Sequence, residues 1–377
     1  MKKICFITGT RADYGIMAPV MRQISASDEA ILQVIATNMH LSEAYGMTVN
    51  EIEADGFKVD RKIESLGISD SPADIVRSMA KVEIGLADAF EELRPDLVVV
   101  LGDRYEALAA AEATVVFGIP LVHLHGGEIT EGAFDDMFRN AITKLATYHF
   151  ASTPEYAERI ISMGEKQGSV FHSGAPGAER SLISQDDLSN DFYKKTGLNL
   201  NDRFLILTMH PATLSADGGL GDVENTISAL KAVVKEGFKI LITLPNSDPG
   251  NLKIRKLYLD WAADDSEMVK CVESLGAKLF HFALDKAVAI VGNSSSALIE
   301  APSYKLPAVN IGIRQKGRAQ GPSVINIGGD SEEIRSAITK ALSPELREGL
   351  KKMSLKEINP YFKEGSSEYI AQKLLKL

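Results

Sequence analysis

Three acidic side chains and a histidine stand where a parallel β-sheet would deliver residues to a ligand. Gly102-Asp103-Arg104 follows the apolar run Leu97–Leu101, and His125-Gly126-Gly127-Glu128 follows Leu121–Leu124, with Asp135-Asp136 seven residues further on. In open parallel sheets, ligands lie beyond the carboxyl ends of the strands. Carboxylates gathered at one such edge repel when ionised, so one of them keeps a proton near neutral pH and can take part in proton transfer. Asp103, Glu128 and Asp135 are therefore candidate acids and bases. Each also has a structural reading: Asp103 paired with Arg104 or capping a helix, and Asp135 as an N-cap. A metal site of His123, His125, Glu128 and Asp135 fits poorly, because alternate strand residues point to opposite faces.

A second group of residues suits an anion. Gly9-Thr10-Arg11-Ala12-Asp13-Tyr14-Gly15 joins a first strand to a helix. Glycine permits close backbone approach, a helix start presents free amides, and Arg11 can make a two-pronged phosphate contact. His210-Pro211 follows another strand, next to a loop containing Gly218, Gly219 and Gly221. Gly292-Asn293-Ser294-Ser295-Ser296 leads into a predicted helix carrying Glu300. Bare amides and hydroxyls there suit a diphosphate, and a carboxylate about one turn along suits a ribose diol. The loop Asn310–Arg318 then groups Arg314, Lys316 and Arg318. A plain turn, a loop histidine and a solvated basic loop are the structural alternatives.

The elements that must position these residues are legible as two alternating series. Ile4–Thr8, Leu32–Thr37, Leu97–Leu101, Leu121–Leu124 and Tyr148–Ala151 are short, nearly continuous apolar runs, as expected of strands covered on both faces. Helical spacing runs through 16–25, 73–93, 105–117, 136–146 and 154–163. Residues 174–202 read as a linker, polar through Ser184-Gln185-Asp186-Asp187. A second series follows, with strands at 204–209, 239–244, 268–272, 289–291, 308–311 and 324–327. Its helices are expected at 223–236, 252–261, 295–304 and 331–342. The fold class is thus α/β, with two Rossmann-like, doubly wound parallel sheets facing each other across a cleft. The expected boundaries are 1–175 and 176–363, with a helix over 364–377 packing back on the first domain.

Length and composition bound the function. With 377 residues the chain has room for two domains, and 41 Lys+Arg against 51 Asp+Glu give a net charge of −10. That balance argues against nucleic-acid or anionic-membrane partners, while a local cationic pocket can still hold a small anion. The two cysteines, Cys5 and Cys271, lie in apolar runs and read as buried thiols, too few for a disulfide framework. The apolar run after Met1-Lys2-Lys3 is too short for a signal peptide, and none reaches the ~20 residues of a membrane span, so a cytoplasmic location is expected.

Taken in order, these motifs resemble the hydrolysing UDP-N-acetylglucosamine 2-epimerase family. They are Gly9-Thr-Arg-Ala-Asp-Tyr-Gly15, Gly102-Asp-Arg-Tyr-Glu-Ala107, His123-Leu-His-Gly-Gly-Glu128, Gly292-Asn-Ser-Ser-Ser296 with Glu300, and Asn310-Ile-Gly-Ile-Arg-Gln-Lys-Gly-Arg318. The resemblance covers nearly the whole chain and implies a glycosyltransferase-B-type fold. It implies conversion of UDP-N-acetylglucosamine to UDP and N-acetylmannosamine, on the route to sialic acid. Elimination of UDP would give a 2-acetamidoglucal, and hydration would follow, with no cofactor and no metal. Asp103, Glu128, Asp135, His125 and His210 are the implied proton-transfer candidates. Arg11, Arg104, His210, Ser294, Ser295, Glu300, Arg314, Gln315 and Arg318 are the implied substrate-binding residues.

Some members of that family have a glutamate where this chain has His125. Either His125 takes over that task or Glu128 supplies the carboxylate. Close relatives use a 2,4-diacetamido-2,4,6-trideoxyglucose nucleotide on the route to legionaminic acid, sometimes with GDP as carrier. A glycosyltransferase of the same fold is a further alternative. A homodimer is common among such folds.

Overall fold

The structure, a computed structural model, describes residues 1–179 and 188–377. The polar stretch Ser184–Asp187 of the expected linker lies outside the described residues. Two compact units are formed. The first comprises Met1–Glu128, Phe134–Glu179 and Lys363–Leu377; the second comprises Ile129–Ala133 and the described residues between Glu179 and Phe362.

In the first unit, seven strands run parallel: β1 (Lys2–Thr8), β2 (Ala30–Thr37), β3 (Arg61–Ile63), β4 (Leu97–Leu101), β5 (Leu121–Leu124), β6 (Tyr148–Ala151) and β7 (Val170–His172). Their spatial order is β3-β2-β1-β4-β5-β6-β7. Strand order therefore reverses between β1 and β4, where a crevice opens at the carboxyl ends of an α/β sheet. Both faces are covered. Phe6, Val99 and Leu124 belong to one apolar cluster, while Cys5, Val98 and Leu121 belong to another. Covered faces are why these strands read as unbroken apolar runs rather than alternating ones. The helix Ser366–Lys376 contributes Ile370, Ala371 and Leu374 to the cluster that holds Met17, Val20 and Met21 of the helix Arg11–Ser25.

The second unit repeats the plan with β8 (Phe204–Thr208), β9 (Lys239–Thr243), β10 (Val269–Val272), β11 (Ala289–Gly292), β12 (Ala308–Ile311) and β13 (Val324–Ile327). The order is β10-β9-β8-β11-β12-β13, all parallel, with the reversal between β8 and β11. Leu205, Leu207 and Val291 pack on one side of this sheet, and Phe204, Ile206 and Ile290 on the other. Two wholly parallel, doubly wound sheets are thus present, as the apolar runs predict. Among the described residues no helix is long and apolar enough to cross a membrane.

Two differences from the expected elements bear on the site. The edge strands β3 and β7 have only three residues each and are largely half-exposed, so no apolar run marks them. The helix expected over 295–304 is instead one α-turn, Ser296–Ile299, followed by a 3-10 turn, Ala301–Tyr304. Pro302 lacks an amide and disfavours α-geometry at the preceding residue, so the helix ends at Glu300.

Candidate active site

In the first unit, the loops after β4 and β5 lie side by side because those strands are register-paired, with Leu101 opposite Leu124. The Gly102 amide then donates to the Leu124 carbonyl at 3.0 Å. His123, fully buried on β5, bonds the Gly102 carbonyl through Nε2 at 2.7 Å and meets the Thr143 hydroxyl through Nδ1 at 3.2 Å. A carbonyl can only accept, so Nε2 carries the hydrogen. Burial pushes this imidazole down to about 3, well below the usual range. His123 is thus a neutral strut that fixes the left-handed turn at Gly102, φ +80°, immediately before Asp103.

Asp103 is not paired with Arg104. It accepts from Arg139 Nη2, a side chain 1% exposed on the helix Asp135–Leu145, whose Nη1 also lies 3.6 Å from Asp136. A guanidinium favours the ionised carboxylate. Arg104 instead donates through Nε to Glu106 Oε1 at 2.5 Å. Glu106 is buried, and burial raises its pKa against the opposing pull of Arg104. A Cβ on Gly9 would lie 2.5 Å from Glu106 Cγ, so glycine there admits the carboxylate.

The loop after β5 is tightly constrained. His125 has a left-handed backbone, φ +63°, and its amide donates to the Phe150 carbonyl at 3.0 Å. A Cβ on Gly126 would stand 2.9 Å from His123 Nδ1, and one on Gly127 2.6 Å from the Tyr156 carbonyl. Arg159, from the helix Pro154–Ser162, donates to the carbonyls of Gly127 and Glu128 at 2.9 and 2.7 Å. These contacts bring Glu128 Oε1 to 2.9 Å from His125 Nδ1 and 2.6 Å from the Ser152 hydroxyl. Asp135 is buried and opens its helix, whose N-cap is Phe134. Asp103 therefore faces Arg139, and Glu128 faces His125.

The turn after β1, where an anion cradle is expected, is held by Asp13. Asp13 closes a capping box with Thr10, and its carboxylate accepts from the amides of Gly9, Thr10 and Tyr14 at 2.8–3.0 Å. The amides of Gly9, Thr10 and Tyr14 are thus taken by the chain's own carboxylate, and Arg11 is the cation of that motif. The glycine loop beside His210 behaves alike. Asp217 accepts from the amides of Gly219 and Gly221, both at 2.9 Å, and these bonds hold its carboxyl down to about 2.

In the second unit, Gly292 ends β11 with φ +139°, and a Cβ there would lie 2.0 Å from the Thr208 carbonyl oxygen. That close approach lets Asn293 lock onto His210 in both directions: its Oδ1 accepts the His210 amide at 2.7 Å, and its Nδ2 donates to the His210 carbonyl at 2.9 Å. The Asn246 amide donates to His210 Nδ1 at 3.3 Å, which leaves Nε2 as the hydrogen-bearing nitrogen of a neutral ring. Arg314 and Gln315 both donate to the Asn293 carbonyl, at 3.2 and 2.8 Å. His210, Asn293, Ser294, Arg314 and Gln315 thus form one group, with the Ser294 and Ser296 hydroxyls 2.9 Å apart. Ser295 precedes the α-turn and makes no side-chain cap. Glu300 Oε1 lies 3.5 Å from His281 Nε2, and His281 Nδ1 meets the Tyr304 hydroxyl at 2.8 Å. Arg318 Nη2 donates to Thr130 Oγ1 at 3.3 Å, and Lys316 pairs with Glu131 at 3.0 Å.

Arg139, Glu106, Asp13 and Ser152 escaped the sequence reading. Signals existed for three of them: Thr10-x-x-Asp13 is a capping-box spacing, Asp136 and Arg139 are three apart on a helix, and Ser152 follows the next strand of the same sheet. Among the described residues, no group of three or more His, Cys, Asp or Glu is placed to hold a metal ion.

The family model described as UDP-N-acetylglucosamine 2-epimerase matches residues 22–375. The GDP/UDP-N,N'-diacetylbacillosamine 2-epimerase (hydrolyzing) of Campylobacter jejuni is 35% identical over 356 residues, spanning 92% of this chain and 89% of that protein. The UDP-N,N'-diacetylbacillosamine 2-epimerase (hydrolyzing) of Legionella pneumophila is also 35% identical, over 374 residues, spanning 99% and 96%. Among solved structures, UDP-GlcNAc 2-epimerase of Neisseria meningitidis bound to UDP-GlcNAc shares the fold, with a TM-score of 0.81, 21% identity and full coverage of both chains. With its two parallel sheets and a match along almost its entire length, this chain belongs to the UDP-N-acetylglucosamine 2-epimerase family, with hydrolysing 2-epimerases as its relatives.

Proposed function

We propose that this protein is a hydrolysing 2-epimerase whose substrate is a nucleoside diphosphate-linked 2,4-diacetamido-2,4,6-trideoxyglucose, that is, N,N'-diacetylbacillosamine. The supporting observation is the 35% identity, along nearly the whole chain, to two proteins named for that sugar. This reading replaces UDP-N-acetylglucosamine, the sugar implied by the motifs, with the alternative that the same motifs left open.

The chemistry proceeds in two stages. A base takes the proton from C2 while the C1–O bond breaks, so the electron pair becomes a C1=C2 double bond and the nucleoside diphosphate leaves. Water then adds its oxygen to C1, and a proton reaches C2 from the opposite face. One water is consumed, and the products are the nucleoside diphosphate and the free C2-epimeric sugar. Asp103, made a carboxylate by Arg139, serves one proton transfer; His125 and Glu128 serve the other, and Asp135 handles water. Arg11, His210, Ser294, Ser295, Arg314, Gln315 and Arg318 take the charge of the departing diphosphate, and Glu300 binds the ribose. Arg104, tied to Glu106, orients the Asp103 turn as well as the substrate.

The deciding experiment is NMR of the products after incubation with UDP-diacetylbacillosamine, its GDP counterpart and UDP-N-acetylglucosamine, with no acceptor present. Release of nucleoside diphosphate and free manno-configured sugar from the diacetamido substrates is expected. Faster turnover of UDP-N-acetylglucosamine would restore the other sugar. A nucleotide-linked product, or a requirement for an acceptor, would sink the hydrolytic reading.

A further inference from the structure

We infer that His125 Nε2 is the atom that carries the C2 proton, that Glu128 orients it, and that Ser152 is a positioning residue for Glu128. The inference rests on the 2-epimerase reading and settles a division of labour which that reading leaves open.

Glu128 Oε1 lies 2.9 Å from His125 Nδ1 and accepts the Ser152 hydroxyl at 2.6 Å. A carboxylate can only accept, so the imidazole hydrogen sits on Nδ1 and the lone pair on Nε2. Nε2 is itself buried and has no hydrogen-bond partner among the described residues, although His125 is only 4% exposed. A buried unpartnered acceptor at a strand end is costly to maintain. The left-handed backbone of His125, in a residue type other than glycine, is a second cost at the same place. The surroundings enforce both. Gly126 and Gly127 leave no room for a Cβ, and Arg159 clamps the two carbonyls that follow.

The carboxylate cannot do this work as well itself. Oε1 of Glu128 already accepts two hydrogen bonds, whereas Nε2 of His125 accepts none. In the elimination, the Nε2 lone pair takes the C2 proton, the C2–H electron pair becomes the C1=C2 bond, and the C1–O pair departs with the diphosphate. The imidazolium so formed is stabilised by Glu128 and returns its proton to water before the next turnover. Asp103, a carboxylate beside Arg139, takes a proton from the water whose oxygen adds to C1 and delivers it to C2 on the opposite face. Nearby, Arg159 holds backbone carbonyls and lies 4.0 Å from Asp136, and His123 is bonded to Gly102.

The test compares His125→Gln, Glu128→Gln and Ser152→Ala with the wild type, using nucleotide release and NMR of the imidazole nitrogens. His125→Gln should lower kcat by about 100- to 10,000-fold, and free imidazole should restore part of the activity to His125→Gly. Glu128→Gln and Ser152→Ala should lower kcat more than they raise KM, Ser152→Ala the less, and both should move the acidic limb of the kcat/KM profile to lower pH. A purely structural role would leave that limb in place. In the wild type, Nδ1 should carry the hydrogen, and Glu128→Gln should give a mixture of tautomers. More than a tenth of normal turnover in His125→Gln, a greater loss in Glu128→Gln than in His125→Gln, or an Nε2-protonated wild-type ring would overturn the assignment. If the wild type turned over no nucleotide sugar, the epimerase reading would fail, and the tautomer measurement would still decide whether the His125–Glu128–Ser152 relay exists.

Discussion

Replacing His123 with glutamine should flatten the acid sensitivity of the first unit. Imidazole in an unfolded chain titrates near 6.5, whereas burial holds His123 down to about 3 in the folded protein. Because the folded value is the lower, the unfolded chain binds more protons in between, and stability rises with pH. The stability is fully present above about pH 6.5, falls as acid is added, and levels off near pH 3. At pH 5, about 1.5 below the unfolded value and at about 1.36 kcal/mol for each pH step, His123 costs about 2 kcal/mol. His40, buried between the hydroxyls of Thr8 and Thr48, is pushed down to about 4 and costs about 2 kcal/mol more at pH 5. From these two groups the wild type should lose about 4 kcal/mol between pH 7 and pH 5, and His123→Gln about 2 kcal/mol. Other buried histidines, such as His149, contribute equally to both proteins and cancel in the comparison. Glutamine retains a side-chain donor for the Gly102 carbonyl, so the turn before Asp103 survives. Hydrogen exchange of the β4 and β5 amides in the two proteins at both pH values reads the first unit without interference from the second. The same loss on acidification in both proteins would refute the argument.

Three further outcomes follow from the geometry. Gly292→Ala would place a Cβ 2.0 Å from the Thr208 carbonyl oxygen at a φ of +139°, so thermal melting should show a loss of about 3 kcal/mol or more; an unchanged melt would show that β8 and β11 can separate freely. Arg139→Met keeps bulk but removes the cation beside Asp103. Steady-state kinetics should show kcat falling about a hundredfold, with nucleotide affinity held within about threefold, and an unaltered kcat would dismiss Asp103 from the proton transfer. Arg314→Ala should weaken UDP binding by ~1.5–3 kcal/mol in calorimetry, and unchanged affinity would remove Arg314 from the diphosphate group.

The fold was legible wherever burial was complete. Strand β4 is apolar throughout, and β5 is apolar but for the buried His123, because both sheet faces are covered, and their bounds match the runs read from the sequence. The edge strands β3 and β7 were not legible, since each has only three residues, too few to form an apolar run. At the site, residues that directly follow strands could be found because strand ends are where ligands bind. Their counterions could not be found in the same way. Arg139 reaches Asp103, and Ser152 reaches Glu128, only because β4, β5 and β6 are neighbours in space, and sequence separation hides that adjacency. Asp13 and Asp217, which the motifs did not single out, take several amides of the loops after β1 and beside His210 with their own carboxylates.

The helix Ser366–Lys376 has a consequence for biosynthesis. The apolar side of the helix Arg11–Ser25 is finished by Ile370, Ala371 and Leu374, residues that leave the ribosome long after it. Between Glu179 and Lys363 the ribosome adds the whole body of the second unit. At about 5–20 residues per second, that interval lasts roughly ten to forty seconds. Throughout it, Met17, Val20 and Met21 have no complete cover, while the second unit can already fold behind them. The unit that is begun first is thus completed last, and during that interval it presents an apolar strip of the kind chaperones bind.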